Sequence, residues 1–159
     1  MMTIEMAKSI IDLLFKMYED NNEKAFINHH TYGLILELIG GEPFMNIKVM
    51  DFIASYFFDE CVRRDHIWLM NSRLSISTNG ILYFSPKVQE FINKYKSLIS
   101  LTITIDGPKE IHDACRIDLD GNGSFDRAMA AWEHWYKVIK TNYIATKVTI
   151  APDNLIYLE

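Results

Sequence analysis

The sequence predicts an α/β fold in which parallel strands alternate with crossover helices, and three observations predict it. Segments with the helical period alternate with short apolar runs, in the order helix, strand, helix, strand, helix, strand, helix, strand. Such alternation argues for parallel strands, because a crossover helix carries the chain back to the edge of the sheet where the last strand began. Three of the runs also end in a small polar cluster containing glycine. Residues 34–39 lead into Gly40-Gly41-Glu42-Pro43, residues 74–78 into Asn79-Gly80, and residues 101–105 into Asp106-Gly107-Pro108. Ligands in parallel α/β folds bind at the carboxyl ends of strands, where all three clusters fall.

Each element has a local reason. Thr3 can cap a helix over residues 3–20, with Glu5 near its positive end and Ile10, Ile11, Leu14, Phe15 and Tyr18 along one stripe. Residues 19–31 are polar and read as a loop, and residues 32–39 read as a buried strand. A second helix covers residues 46–64, where Val49, Met50, Ile53, Phe57, Cys61 and Val62 recur at spacings of three and four. Residues 74–78 alternate as a strand does. Ser85-Pro86 is a cap and first turn for a helix carrying Val88, Phe91, Ile92 and Tyr95. Residues 98–105 form the third strand. Residues 106–123 read as a glycine-rich polar loop, in which 110–115 is too short for a good helix. Ser124 or Asp126 opens the next helix, through Met129, Trp132, Trp135, Tyr136 and Ile139, and residues 146–151 form a last strand stopped by Pro152.

Bulk properties narrow the function. At 159 residues and 49% apolar content, the chain is predicted to be a single domain spanning 1–159. Its formal net charge is -5 without long blocks of either sign, which argues against nucleic acid as a partner. Two distant cysteines, Cys61 and Cys115, give no disulfide framework or metal knuckle, and no segment resembles a leader or a membrane span. The expectation is a cytoplasmic protein with no membrane partner.

The clusters carry the chemistry, each beside a plainer reading. Gly40-Gly41-Glu42-Pro43 can be a tight turn, yet a carboxylate beside exposed carbonyls is also a receptor for an ammonium group. Asn79-Gly80 is a strong hairpin signal, but the helix opening at Ser85-Pro86 favours a strand-helix unit. Residues 118–126 imitate the start of a calcium loop and fail at its twelfth position, Met129, where a bidentate glutamate is needed; they read as a turn. Arg116, near His112-Asp113, offers a planar fork for a carboxylate or phosphate, or forms a surface ion pair. His29, His30, His66 and His134 read as structural or solvated. Trp132, Trp135 and Tyr136 read as a helix face against the sheet. Glu37 either faces a polar interior near a ligand or marks its strand as poorly buried.

Taken together, Gly40-Gly41-Glu42-Pro43, Ser77-Thr78-Asn79-Gly80, Ile105-Asp106-Gly107-Pro108 with Ile111-His112-Asp113 and Arg116, Gly123-Ser124-Phe125-Asp126, and the segment from Lys147 to Pro152 resemble the radical SAM enzymes. Within them the chain is most similar to peptide and protein maturases related to anaerobic sulfatase-maturating enzymes, over nearly its whole length. The resemblance implies a partial parallel (β/α) barrel, roughly units two to five of a (β/α)6 barrel, as a single incomplete core domain. It implies S-adenosylmethionine across the strand ends: Gly40, Gly41 and Glu42 on the methionine ammonium, Ser77 and Asn79 on ribose or carboxylate, Arg116 on the carboxylate, and Ile150 beside adenine. In the parent family that cofactor chelates a [4Fe-4S] cluster and yields a 5′-deoxyadenosyl radical, and the substrate is a peptide or protein.

One departure weighs against all the matches. The family's cluster cysteines, spaced C-x3-C-x2-C, precede the helix that here opens at Thr3, and this sequence has no such motif. The reading is therefore a fragment of a radical SAM maturase, inactive alone, whose outer strands are unpaired edges prone to self-association. The alternative is a non-catalytic binding or partner module on a degenerate barrel.

Overall fold

The long helices and the strands follow one another in the predicted order, with two short helices added, and among the described residues every strand pairing is parallel. The computed structural model describes residues 2–140, 143–152 and 155. Helix α1 spans Ile4–Asp20, strand β1 Ile35–Leu38, and a 3-10 turn at Pro43–Asn46 leads into α2, Ile47–Arg63. A short α3, Trp68–Asn71, precedes β2, Arg73–Thr78; then follow α4, Pro86–Tyr95, and β3, Ile99–Thr104. Helix α5, Lys109–Cys115, and α6, Phe125–His134, precede β4, Ile144–Lys147, and a single π turn, Trp135–Ile139, ends α6. The sheet order is β1-β2-β3-β4. Asn79-Gly80 therefore closes a strand-helix unit, and the hairpin reading falls because residues 81–84, which would be its second strand, form a turn leading into α4.

The sheet is apolar on one face and polar on the other. Leu74 and Ile76 of β2 with Ile99, Leu101 and Ile103 of β3 are buried under α4 and α6, against Val88, Phe91, Ile92, Ala128, Ala131 and Trp135. Helix α2 divides this core from a second one. Its Met50 and Ala54 pack toward the sheet, while Val49, Ile53, Phe57 and Cys61 meet Ala7, Ile11 and Phe15 of α1 and the buried Trp68. The alternate strand positions, Glu37, Ser75, Ser77, Ser100 and Thr102, share the opposite face and remain at least partly exposed. Glu37 is exposed on this face of a strand in which no residue is fully buried, as its second sequence reading has it.

Several boundaries depart from expectation for identifiable reasons. Thr3 caps α1 as predicted, accepting from Met6 N at 3.2 Å, but Ile10 falls off the stripe and is 46% exposed. Val62 likewise turns outward on α2. Strand β1 is shorter than 32–39, because Tyr32 and Ile39 are exposed and Leu34 N donates to the Ser72 hydroxyl, outside the ladder. Tyr136 is exposed, so of the predicted aromatic face of α6 only Trp135 is fully buried.

The loop predicted at 106–123 contains helix α5, a correction with a tertiary cause. Seven residues cannot hold a helix by local propensity, but His112, fully buried, anchors this one. The next helix starts at Phe125 with the predicted Ser124 as its N-cap residue, but the capping side chain is neither that of Ser124 nor that of Asp126. Asp113 Oδ1 accepts from Phe125 N at 2.8 Å, while the Ser124 hydroxyl donates to Arg116 O at 2.9 Å. Gly123 makes this crossing feasible, since a Cβ there would sit 2.1 Å from the Asp113 carboxyl carbon.

The last strand is displaced toward the N-terminus, at Ile144–Lys147 rather than 146–151. Ile105 N still donates to Lys147 O at 2.9 Å, but Thr149 N donates to the Asp106 carboxylate at 2.7 Å. A side chain replaces the next rung of the ladder, and the strand stops there.

Candidate functional site at the carboxyl edge of the sheet

Parallel pairing places the ends of all four strands on one edge. Beyond β1, Gly40 takes φ +142 and Gly41 follows, and a Cβ at either would meet no atom within 4 Å. The backbone here is open to an approaching group. Glu42 then turns inward: Oε1 accepts from Phe44 N at 3.1 Å and from the Thr78 hydroxyl at 2.7 Å, and Oε2 accepts from Asn79 N at 2.9 Å. One carboxylate thereby caps the 3-10 turn and ties the end of β1 to the end of β2.

Beyond β2 the chain is held just as closely. Thr78, 2% exposed, accepts from Gly80 N at 3.1 Å while donating to Glu42, so its hydroxyl proton has one direction. Asn79 Oδ1 accepts from Ile81 N at 2.9 Å and closes a local turn. Gly80 has φ +78, and a Cβ there would lie 3.0 Å from Ala128 Cα, so the turn and its packing against α6 both call for glycine. Ser77 sits one residue earlier, on the polar sheet face.

A second acid ties β3 to β4. Asp106, 4% exposed, accepts from Thr149 N, and its other oxygen pairs with Arg116 Nε. Arg116 Nη2 donates in turn to the Thr149 hydroxyl at 2.9 Å. Beneath this pair, His112 Nδ1 accepts from Asp106 N at 3.1 Å, and Nε2 lies 3.0 Å from the Ser124 hydroxyl. Nδ1 must therefore be bare, and the proton rides on Nε2, because the Ser124 hydroxyl already donates to Arg116 O. Burial pushes the His112 pKa below its ordinary value, the Arg116 charge adding to the effect against opposing pulls from Asp106 and Asp113.

The seven residues expected at the site fall into two groups along this edge. Gly40, Gly41, Glu42 and Asn79 come together through the Glu42 bonds, with Ser77 adjacent on β2. Arg116 meets Thr149, the neighbour of Ile150, which lies beyond the end of β4 and is 68% exposed. Thr78, Asp106 and Thr149 join the site without having been singled out. Only Asp106 carried a signal, as an acid placed directly after an apolar run and before Gly107-Pro108.

A [4Fe-4S] cluster does not fit the described residues. Cys61 is fully buried in α2, its thiol pushed up to about 12 by burial, while Cys115 is exposed on α5. Among the described residues no three His, Cys, Asp or Glu side chains gather as metal ligands. Residues 118–126 form the expected turn: Asp118 accepts from Asp120 N and Asn122 N and pairs with Arg127 at 2.7 Å. A groove of about 620 Å³ lies at the opposite, amino edge of the sheet, between Tyr32, Ile35, Arg73 and Tyr143. No helix among the described residues is long and apolar enough to cross a membrane.

No protein-family model matches the chain, and no curated protein does. Solved structures do. The fold is similar to anSMEcpe, an anaerobic sulfatase-maturating enzyme, in its native form with bound AdoMet and the Cp18Cys peptide, at 22% identity and a TM-score of 0.63. That match covers 93% of this chain and 35% of the other. The same enzyme with AdoMet alone matches at 22% identity and TM-score 0.63, and a histidine-tagged form with AdoMet at 23% and 0.57 over 85% of this chain. The chain thus spans about a third of the length of these structures and, over that third, has a fold similar to theirs.

Proposed function

We propose that this chain is part of a radical SAM protein of the peptide-maturase kind and receives S-adenosylmethionine along the carboxyl edge of its sheet. One observation carries the reading: Gly40-Gly41 presents open backbone at the strand end of a fold shared with AdoMet-bound structures. The segment from Gly40 to Glu42 would receive the methionine ammonium group. Asn79 and Ser77 stand beside it for ribose or carboxylate, and Arg116 and Ile150 border the β4 side. S-adenosylmethionine supplies the difficult chemistry in such enzymes, and the chain's part is to hold and orient it. Substrates of the whole protein would be peptides. The described residues supply no iron ligands, so the chain by itself is expected to bind the cofactor weakly and to perform no radical reaction.

Calorimetric titration with S-adenosylmethionine tests this. Weak saturable binding is expected, abolished by Gly41→Val, while stability moves by no more than about 0.5 kcal/mol because that Cβ meets open space. After anaerobic reconstitution with iron and sulfide, 5′-deoxyadenosine should not accumulate; formation at an enzyme-like rate would overturn the claim of inactivity. A second reading, a binding module without catalysis, is favoured by the internal engagement of both Glu42 and Arg116. Complete absence of S-adenosylmethionine binding would select it.

A further inference from the structure

We propose that the groove at the amino edge of the sheet is a second ligand site, which takes an amphipathic carboxylate, an apolar chain ending in one carboxyl group, with Arg73 as the receptor for that group. It lies at the opposite end of the strands from the site described above. Neither its walls nor its charge depends on the S-adenosylmethionine reading.

The groove opens over about 620 Å³ at the entries of all four strands, within the roughly 300–1,000 Å³ usual for small-molecule pockets. Leu34, Leu69 and Leu98 give it apolar surface. Its shape has a cause in the sequence at Gly33. A Cβ there would lie 2.0 Å from Asn71 O, so only glycine lets the chain entering β1 pass this close to the turn before β2. Among the residues that line the groove, Arg73 carries the single charge, and it makes no ion pair among the described residues. Glu37, on the same sheet face, is paired in register with Ser75 instead.

Arg73 is held in position without being satisfied. Its backbone N donates to Leu34 O at 3.0 Å, which fixes where the side chain begins, and its guanidinium carbon lies 5.3 Å from the centre of the Tyr143 ring. A guanidinium resting on a ring face keeps the edge of its fork free, and that edge matches a carboxylate through two parallel hydrogen bonds. Other polar groups of the lining are already committed. The Ser72 hydroxyl accepts from Leu34 N at 2.8 Å, and Asn71 Nδ2 donates to Ile67 O at 2.8 Å. A polypeptide laid in such a groove would leave several amide groups without partners, each at a cost. A ligand with one anionic end and an apolar body leaves none, and this contrast selects it.

Calorimetric titration with decanoate, beside decanol as the uncharged control, tests the site. Decanoate should bind saturably at one site, about tenfold or more tighter than decanol, as one charge-assisted pair supplies. Amide shifts on adding decanoate should cluster at residues 32–35, 69–73 and 143 and spare residues 40–42 and 79–80. Arg73→Met keeps the apolar stem and removes the fork, so decanoate affinity should fall about tenfold, to the level of decanol, and Arg73→Lys should recover only part of the loss. Absence of decanoate binding, equal affinity for decanol, or unchanged affinity in Arg73→Met would each overturn the proposal. So would shifts confined to the carboxyl edge. Tighter binding of acetyl-Leu-Leu-Leu with a free carboxyl terminus would make the groove a peptide site and overturn the choice of ligand. The decanol comparison uses wild-type protein alone, so it decides even where a variant folds poorly.

Discussion

His112 is the residue whose chemistry is most tightly written by its surroundings. Its bare Nδ1 accepts from Asp106 N, its Nε2 proton points to Ser124, and a second proton on Nδ1 would oppose the Asp106 amide. Burial is the main cause of its lowered pKa. Because the folded state then binds this proton less readily than the unfolded state, its contribution to stability is complete above the ordinary histidine value of 6.5 and declines as pH falls below it. Urea denaturation from pH 8 to 5 should show stability decreasing below about 6.5. The His112 ring proton in an NMR titration should have its midpoint below that value; a midpoint above it would refute the assignment. The proton placement is invisible in the sequence, where His112 is only one polar residue of a motif. It depends on Ser124, twelve positions away, and on Asp106, six positions back.

Helix α5 shows how a short element is secured by others. Its seven residues contribute little helical stability locally, yet its Asp113 supplies the N-terminal cap of α6 and its His112 supports the end of β3. The Asp113 pKa is lowered chiefly by the bond from Phe125 N, with Lys109 adding to it. Asp113→Ala should lower Tm by about 2–4 °C, whereas Asp126→Ala, whose partner Lys109 is exposed, should leave Tm nearly unchanged. Equal effects in thermal denaturation would restore Asp126 as the cap. The long elements need no such help. Helices α1, α2 and α4 start and run close to where period and capping residues predict, because their apolar stripes are legible in consecutive sequence. Strand β4 departs from its predicted span for the converse reason. Its end is set by the Asp106 side chain from the end of β3, a competitor for backbone hydrogen bonds that no pattern within 144–151 reveals.

At the scale of the molecule, one-sided covering of the sheet has consequences. The helix-packed face makes the core, and the other presents Glu37, Ser75, Ser77, Ser100 and Thr102. Among the described residues β1 and β4 are the outer strands, and β1 carries Ile35, 58% exposed. Such an edge is a template for pairing. Sedimentation velocity should show association rising with protein concentration, and Ile35→Lys should shift it toward monomer with little change in stability. Association unaffected by that charge would place the contact elsewhere. By itself the sequence determined the order of the long helices and the strands, their parallel pairing and the shared edge of the glycine-bearing strand ends, because helical period, strand alternation and glycine after an apolar run are local properties. Only the tertiary structure decided what the charged residues there do. Glu42 and Arg116 look like ligand contacts along the chain, but folding brings each of them donors or acceptors from distant strand ends. A buried or half-buried charge is satisfied first by whatever lies within hydrogen-bond reach, and that neighbour is set by the packing of strands, not by spacing in sequence.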